Sequence, residues 1–264
     1  MQFPLSRAVA PSLEWRDSCP STNADLVRRA EGLGDLAVLA TDDQTAGRGR
    51  LDRVWSAPPG ASLAVSVFVA LEGGAGDPAS GGPRALLGWL PLLAGTAMAT
   101  AARRLGVPSA GVKWPNDVLV DGRKLCGVLT ELTPHGVVIG AGLNTAMTRE
   151  QLPVLTATSL HLEGAALEGE TPSELLDRAL AAYLDELTGL IGEWRAATGP
   201  AALRARVEPL LQTAGRAVRV DRPGLPPLMG TADGLADDGS LRVHPAEGDA
   251  LTVSAGDVTH LRYE

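Results

Sequence analysis

Three short stretches hold the side chains best suited to chemistry. The first is Lys113-Trp114-Pro115-Asn116-Asp117, followed seven residues later by Lys124. An amide, a carboxylate and two ammonium groups are thereby gathered around Asp121-Gly122. An Asp-Gly pair between two β-rich runs predicts a tight hairpin. Asn116 and Asp117 are expected at the mouth of one strand and Lys124 at the start of the next, with the turn setting the register. Alone, these residues suit a solvated surface hairpin equally well. The second stretch is Gly47-Arg48-Gly49-Arg50-Leu51-Asp52-Arg53-Val54-Trp55. Its glycines allow close backbone approach, and guanidinium groups grip phosphate or carboxylate through paired N–H donors. It is either a solvated basic turn or a clamp for a nucleotide phosphate, ordered by its ligand. The third is Ser21-Thr22-Asn23, where a helix begins. These residues either cap that helix or present hydroxyls and an amide to a polar ligand group.

Each stretch needs an element to hold it. Apolar positions 26, 27, 30 and 33 predict a helix after Ser21. A buried strand is expected over 36–41, leading into the Arg/Gly loop. Residues 61–71 alternate, with Leu63, Val65, Val67 and Val69 on one face, and predict a second strand. The run 72–83 is rich in Gly and Pro and reads as a flexible connector. A near-uniformly apolar helix is expected over 85–105, with Pro91 kinking it or starting its second part. Residues 136–143 predict a buried strand ending in Gly140-Ala141-Gly142-Leu143-Asn144. Its glycines either ease sheet packing or let a ligand lie against the strand. The stretch 145–169 reads as irregular. Thr171-Pro172-Ser173-Glu174 is a capping box that opens a long amphipathic helix running through Trp194. A short helix is expected near 201–207. Five short strands then follow, over 217–220, 228–235, 241–244, 251–253 and 258–261. They suggest a small barrel of the SH3 type that leans on the main body.

Composition narrows the function. The 264 residues are 45% apolar and 20% charged, with a net charge of −8. An acidic chain argues against a broad nucleic-acid surface, which needs a basic face. Only twenty residues precede Ser21, too few for an N-terminal helix-turn-helix domain, and residues 1–12 read as a loose leader. Two cysteines, Cys19 and Cys126, form no framework and suit a reducing cytosol. No secretory signal and no transmembrane run are expected. The four histidines (His135, His161, His244 and His260) lack metal-ligand spacing, and no Walker motif occurs. The Gly60-Ala61-Ser62-Leu63-Ala64 run is discounted as a nucleophile elbow, since no helix follows it. What remains suits charge stabilisation, such as attack of a carboxylate on the α-phosphate of ATP with Mg²⁺ on the rest of the triphosphate.

Taken together, Lys113-Trp114-Pro115-Asn116-Asp117, Lys124-Leu125-x-Gly127, the Gly47-to-Trp55 loop, Ser21-Thr22-Asn23 and Gly140-x-Gly142-Leu143-Asn144 resemble the biotin protein ligases. The resemblance runs over roughly 14–264. It implies an α+β fold with a mixed β-sheet flanked by helices, related to class II aminoacyl-tRNA synthetases, and a small C-terminal SH3-like barrel. The implied divisions are a leader over 1–13, a catalytic biotin- and ATP-binding domain over 14–212 and the small domain over 213–264. The implied reaction joins biotin and ATP into biotinyl-5′-AMP, then transfers biotin to a lysine of a carrier domain of an acyl-CoA or pyruvate carboxylase. The implied partners exclude nucleic acid and membrane; a monomer and a homodimer both stay open.

By motif, Ser21, Thr22, Asn23 and Gln44 contact the biotin head group, Gly127, Gly140 and Gly142 give backbone approach to biotin, and Gly47 and Gly49 of the Arg/Gly loop also belong to the biotin site. Arg48, Arg50 and Lys124 hold the carboxylate and the α-phosphate and serve as the catalytic cations. Arg53, Trp55, Lys113, Asn116, Asp117 and Asn144 serve the nucleotide, with Trp55 on the adenine side and Asp117 also on Mg²⁺. Cys126 stands where the family more often has alanine, a small residue for a small one. A lipoate–protein ligase of the same fold, or an adenylate-binding sensor that transfers nothing, are the alternatives.

Overall fold

The computed structural model describes residues 3–51, 53–71 and 82–261. Its main sheet has seven strands in the order β1-β2-β5-β9-β8-β7-β6. They are β1 (Leu13–Trp15), β2 (Ala37–Thr41), β5 (Ser62–Ala70), β6 (Ala110–Lys113), β7 (Asp117–Val120), β8 (Arg123–Thr133) and β9 (Gly136–Asn144). β1 pairs parallel to β2 and the other pairs are antiparallel, so the sheet is mixed.

The alternation read in 61–71 separates two cores. Leu63, Val65, Val67 and Val69 face a large core with helices α3 (Leu90–Arg104) and α4 (Pro172–Ala196). Phe68 faces a smaller core with Leu26 and Ala30, under helix α2 (Thr22–Arg29). The site therefore lies on the α2 side. Pro91 sits in the first turn of α3, which a 3₁₀ segment (Gly82–Trp89) precedes, so the proline starts the α-helix rather than kinking it. By length and apolarity the segment Arg84–Arg104 is sufficient to cross a bilayer, contrary to the sequence expectation. In the fold most of it is buried against the sheet and α4, which accounts for its composition. The connector expected at 72–83 lies outside the described residues except at its end.

The segment 1–12 is not a loose leader where it is described. Pro4–Val9 form helix α1, and Phe3 is fully buried with its ring 4.1 Å from that of Trp15. The buried Asp177 of α4 accepts from the Leu5 and Ser6 backbone N–H groups (3.1 and 2.9 Å), satisfying donors that a helix start leaves open. Periodicity gave no sign of this, because the partner lies more than 170 residues away.

Five antiparallel strands form the C-terminal sheet: β10 (Ala217–Asp221), β11 (Leu228–Leu235), β12 (Leu241–His244), β13 (Leu251–Val253) and β14 (Asp257–His260). Their order is β13-β12-β11-β10-β14. The sheet does lean on the main body. Trp89 Nε1 donates to Asp237 O (2.8 Å) and Trp114 Nε1 to Gly239 O (3.1 Å), and the apolar core is continuous through Val218, Leu235 and Val258. The remaining elements are α5 (Pro200–Val207) and a two-stranded ribbon of β3 (Gly47–Arg48) and β4 (Val54–Trp55).

Candidate ligand site

Strand register builds the floor of a cavity. Ala64 on β5 faces Gly142 on β9, which faces Gly127 on β8, which faces Asp117 on β7, which faces Lys113 on β6. One row therefore runs from three small residues into a carboxylate and an ammonium. The next row is Ser66, Gly140 and Leu129.

The space above each floor glycine is already taken by a site side chain. A Cβ on Gly140 would collide with Asn23 Oδ1, and one on Gly142 would stand 2.8 Å from Trp55 Cε2. One on Gly127 would stand 3.1 Å from Lys124 Nζ. Backbone approach by a ligand was the expected reason for these glycines. In the structure they make room for Asn23, Trp55 and Lys124 instead. Gly47 is likewise crowded, by Trp55 O and the Gln44 side chain, whereas Gly49 lies against Arg53.

The polar end lies at the start of α2. Ser21 is the N-cap and accepts from Ala24 N (3.3 Å). Thr22 and Asn23 do more than cap. The Thr22 N–H and hydroxyl meet Gln44 Oε1 (2.9 and 3.2 Å). Ser66 Oγ, fully buried on β5, lies 2.7 Å from Thr22 Oγ1 and 2.6 Å from Asn23 Oδ1. Asn23 Nδ2 donates to Leu129 O (3.0 Å) and to Glu131 Oε2 (2.9 Å). Ser66 and Glu131 were missed in the sequence. The only available signal was strand parity, which places both on the site face.

The cationic end depends on a bulge. Between β7 and β8, Val118 faces Cys126 but Leu119 faces Lys124, so Leu125 is the extra residue. Lys124 and Gly127, three apart, would otherwise point to opposite faces. With the bulge, Lys124 lies over Gly127 and pairs with Asp117 (Nζ to Oδ1 2.6 Å). Asp121 and Gly122 do form the expected turn, with φ of 48° and 79°. Register across this hairpin is thus set by the turn and the bulge together, and Lys124 faces Leu119 rather than Asn116-Asp117 in the ladder. The 145–169 stretch is irregular as expected, yet it grips the lysine backbone. Lys124 N donates to Thr156 O (2.7 Å), and Lys124 O accepts from Thr158 N (2.9 Å).

Of the three loop arginines, two are charge-paired. Arg48 Nη2 donates to both oxygens of Glu131 (3.1 Å each), and Arg53 pairs with Asp257 of β14. Arg50 instead donates to neutral acceptors, Asn116 Oδ1 (2.9 Å) and Gly256 O (3.1 Å). Burial pushes the Arg50 guanidinium below its ordinary pKa, with Asp257 and Asp117 opposing that shift. Asn116 is fixed in turn through Nδ2 to Val128 O (2.7 Å). The cavity is lined by Ser21, Thr22, Asn23, Gln44, Arg48, Gly49, Arg50, Arg53, Trp55, Asn116, Asp117, Lys124, Gly127, Gly140 and Gly142 of the expected set, and by Val54, Ala64, Val128, Leu129, Ala141 and Asp257 in addition; Gly47 lies outside this lining.

Three expectations require correction or relocation. Asn144 does not line the cavity. It is buried and donates to Thr158 O (2.8 Å), pinning the loop that holds Lys124. Trp55 lies on Gly142, above the small-residue floor, in the same cavity as Asn116 and Asp117. Lys113 lies behind Asp117 towards the C-terminal sheet, where burial lowers its pKa and the Asp117 and Asp257 charges counter that shift.

A mixed sheet with a low floor, an amide-and-hydroxyl end and a cationic end defines a site for a small molecule that is polar at one tip and anionic at the other. The sequence model of the Biotin/lipoate A/B protein ligase family matches residues 16–144. The chain is 39% identical over 247 residues to the biotin–[acetyl-CoA-carboxylase] ligase of Mycobacterium tuberculosis, covering 92% of this chain and 86% of that protein. It is 39% identical over 187 residues to the bifunctional ligase/repressor BirA of Escherichia coli, covering 68% of this chain and 54% of that one. Among solved structures, the Aquifex aeolicus biotin protein ligase in complex with biotin and ATP superposes with a TM-score of 0.70 at 24% identity, covering 95% of this chain and 99% of that one. This chain belongs to the biotin/lipoate protein ligase family.

Proposed function

We propose that this chain is an ATP-dependent biotin protein ligase. One observation carries the reading. A floor row of Ala64, Gly142 and Gly127 joins an amide-and-hydroxyl pocket to a half-buried guanidinium bonded to neutral acceptors and to a lysine. The ureido group of biotin suits Thr22, Asn23 and Gln44, its chain suits the floor, and its carboxylate suits Arg50 and Lys124. The names of the relatives favour biotin over lipoate.

In the first step a biotin carboxylate oxygen attacks the α-phosphorus of ATP, and pyrophosphate leaves with the electron pair of the broken P–O bond. Lys124 and Arg50 oppose the charge that grows on the α-phosphate oxygens in a partly desolvated site. In the second step a carrier lysine amine attacks the acyl carbon; AMP leaves and the amine proton passes to solvent. Magnesium fits as part of the nucleotide substrate. Among the described residues no cluster of three or more His, Cys, Asp or Glu forms a protein cage, and one carboxylate such as Asp117 suffices for an ion held mainly by phosphates.

In this reading the catalytic unit spans 14–212 and resembles class II synthetases, and the C-terminal sheet over 213–264 is the SH3-like barrel. The partner is the biotin carrier domain of a carboxylase, the setting is cytoplasmic, and no nucleic acid is bound. The test is incubation with biotin, ATP, Mg²⁺ and a carrier domain, followed by the intact mass of the carrier. Gain of one biotinyl group is expected. Pyrophosphate exchange with lipoate but not biotin would overturn the assignment, and exchange without carrier modification would favour an adenylate sensor.

A further inference from the structure

Glu131 lies at a junction that the reaction as described does not use. It follows Gly127 and Leu129 on the site face of β8, one step beyond the cavity floor. Its carboxylate has two partners from different parts of the chain: Asn23 Nδ2 at 2.9 Å and Arg48 Nη2 at 3.1 Å to each oxygen. Asn23 belongs to the polar pocket at the start of α2, and Arg48 belongs to ribbon strand β3. The two segments otherwise meet through Gln44 and the backbone around Pro20. A single anion thus ties the amide that recognises the ligand to the loop that covers it.

We propose that Glu131 is a positioning residue for ligand capture. It fixes the Asn23 amide and anchors Arg48, so the ribbon stands over the floor. The amide orientation follows from the hydrogen bonds. Asn23 Oδ1 faces the Ser66 hydroxyl, which leaves Nδ2 for Leu129 O and Glu131. Without the carboxylate, one Nδ2 proton loses its acceptor and Asn23 is freer to turn over. Arg48 with its charge matched by Glu131 is an anchor for the loop, and Arg50 is left as the loop cation that meets the substrate's anion. The pair is half-exposed, 49% for Arg48 and 26% for Glu131, so its strength is modest; its effect is through geometry.

This inference rests on the biotin reading, and its test separates the two. Biotin affinity is measured by titration calorimetry without ATP for the wild-type chain, Glu131→Ala, Glu131→Gln, Arg48→Ala and the double alanine variant. Melting curves and kinetics of biotin-dependent pyrophosphate exchange accompany them. Glu131→Ala is expected to weaken biotin binding about 5- to 20-fold, the range for losing one hydrogen bond and one exposed ion pair. The loss falls on KM for biotin more than on kcat. Glu131→Gln, which keeps an acceptor for Asn23, recovers part of it and serves as the probe if the alanine variant does not fold. The double variant is expected to bind no more weakly than the weaker single variant, because the two residues act as one unit. Glu131→Ala binding biotin within about twofold of wild type, fully additive losses, or equal loss of kcat and melting temperature would each overturn the proposal. A wild-type chain that neither binds biotin nor exchanges pyrophosphate would sink the ligase reading and this inference with it.

Discussion

Lys124 Nζ lies 2.6 Å from Asp117 Oδ1, and it does so because Leu125 bulges out of the β7–β8 ladder. The lysine charge is thereby parked on a carboxylate at the edge of the cavity floor, where an incoming phosphate can compete for it. Lys124→Ala removes the cation without touching a core contact, since the side chain is 45% exposed. Adenylate formation is expected to fall about 10²- to 10³-fold, the scale for losing one charge-stabilising donor. The melting temperature should stay within a few degrees. Pyrophosphate exchange and a melting curve check both, and near-normal exchange would remove Lys124 from the chemistry.

The loop arginines should behave differently from one another. Arg50 is half-buried against neutral acceptors, whereas Arg48 is neutralised by Glu131 and Arg53 by Asp257. Arg50→Ala is expected to speed dissociation of the adenylate about 10- to 100-fold, as for loss of a charge-assisted hydrogen bond. Arg48→Ala should act mainly on biotin capture. Dissociation rates from single-turnover chases would show the contrast, and equal rates in both variants would refute it.

Much of this was legible in the sequence because local chemistry decided it. The alternation of 61–71 separated the two cores, Asp121-Gly122 made its turn, and the five C-terminal strands lie within a residue or two of where turns placed them. Three features were not legible, two of them because they depended on distant partners. Helix α1 is fixed by Asp177. The bulge at Leu125 has no residue signature, because a β-branched or apolar residue fits a strand and a bulge alike. Glu131 and Ser66 read as ordinary strand residues until Asn23 is brought over Gly140. Asn144 erred the other way: its amide looked free for a nucleotide, but the fold uses it to hold 156–158.

Gly140 gives a sharper test of the floor than any charged residue. An added methyl group there meets the Asn23 amide, which is buried and held by Ser66, Leu129 O and Glu131. Gly140→Ala is expected to destabilise the chain by about 1–3 kcal/mol, the usual cost of overpacking. It should also weaken biotin binding. Gly142→Ala meets first the Trp55 ring on the ribbon, which can shift outward, so its effect should fall on binding with little loss of stability. Chemical denaturation and calorimetry separate the two, and equal stability losses would argue against a movable Trp55.

The cysteines offer a check on burial at the site's rear. Cys126 is buried between the sheet and α4, and burial pushes its thiol up to about 12. Cys19 is also buried. Burial shields both sulfurs, and for Cys126 it also suppresses the reactive thiolate, so neither should react with a disulfide reagent at pH 8 in the folded chain. Both should react on unfolding in guanidinium. Rapid labelling of Cys126 in the native state would mean that β8 opens far more readily than its packing suggests.

His260 links stability to pH at the junction of the two sheets. The Thr213 hydroxyl accepts from the Trp114 N–H (2.9 Å) and lies 3.1 Å from His260 Nε2, an arrangement that suits a neutral imidazole. Burial, with Lys113 and Arg216 nearby, lowers the His260 pKa to about 4. The unfolded chain titrates this group near its ordinary value of about 6.5. Between those values the unfolded state binds the extra proton, so stability rises with pH through this window and is lost as pH falls from about 6.5 towards 4. The wild-type chain should lose up to about 2 kcal/mol more than His260→Gln between pH 7 and pH 5. Denaturant melts of both at the two pH values measure it. Parallel losses would show that His260 is solvated in the folded state and that the junction is looser than the Trp114–Thr213–His260 chain implies.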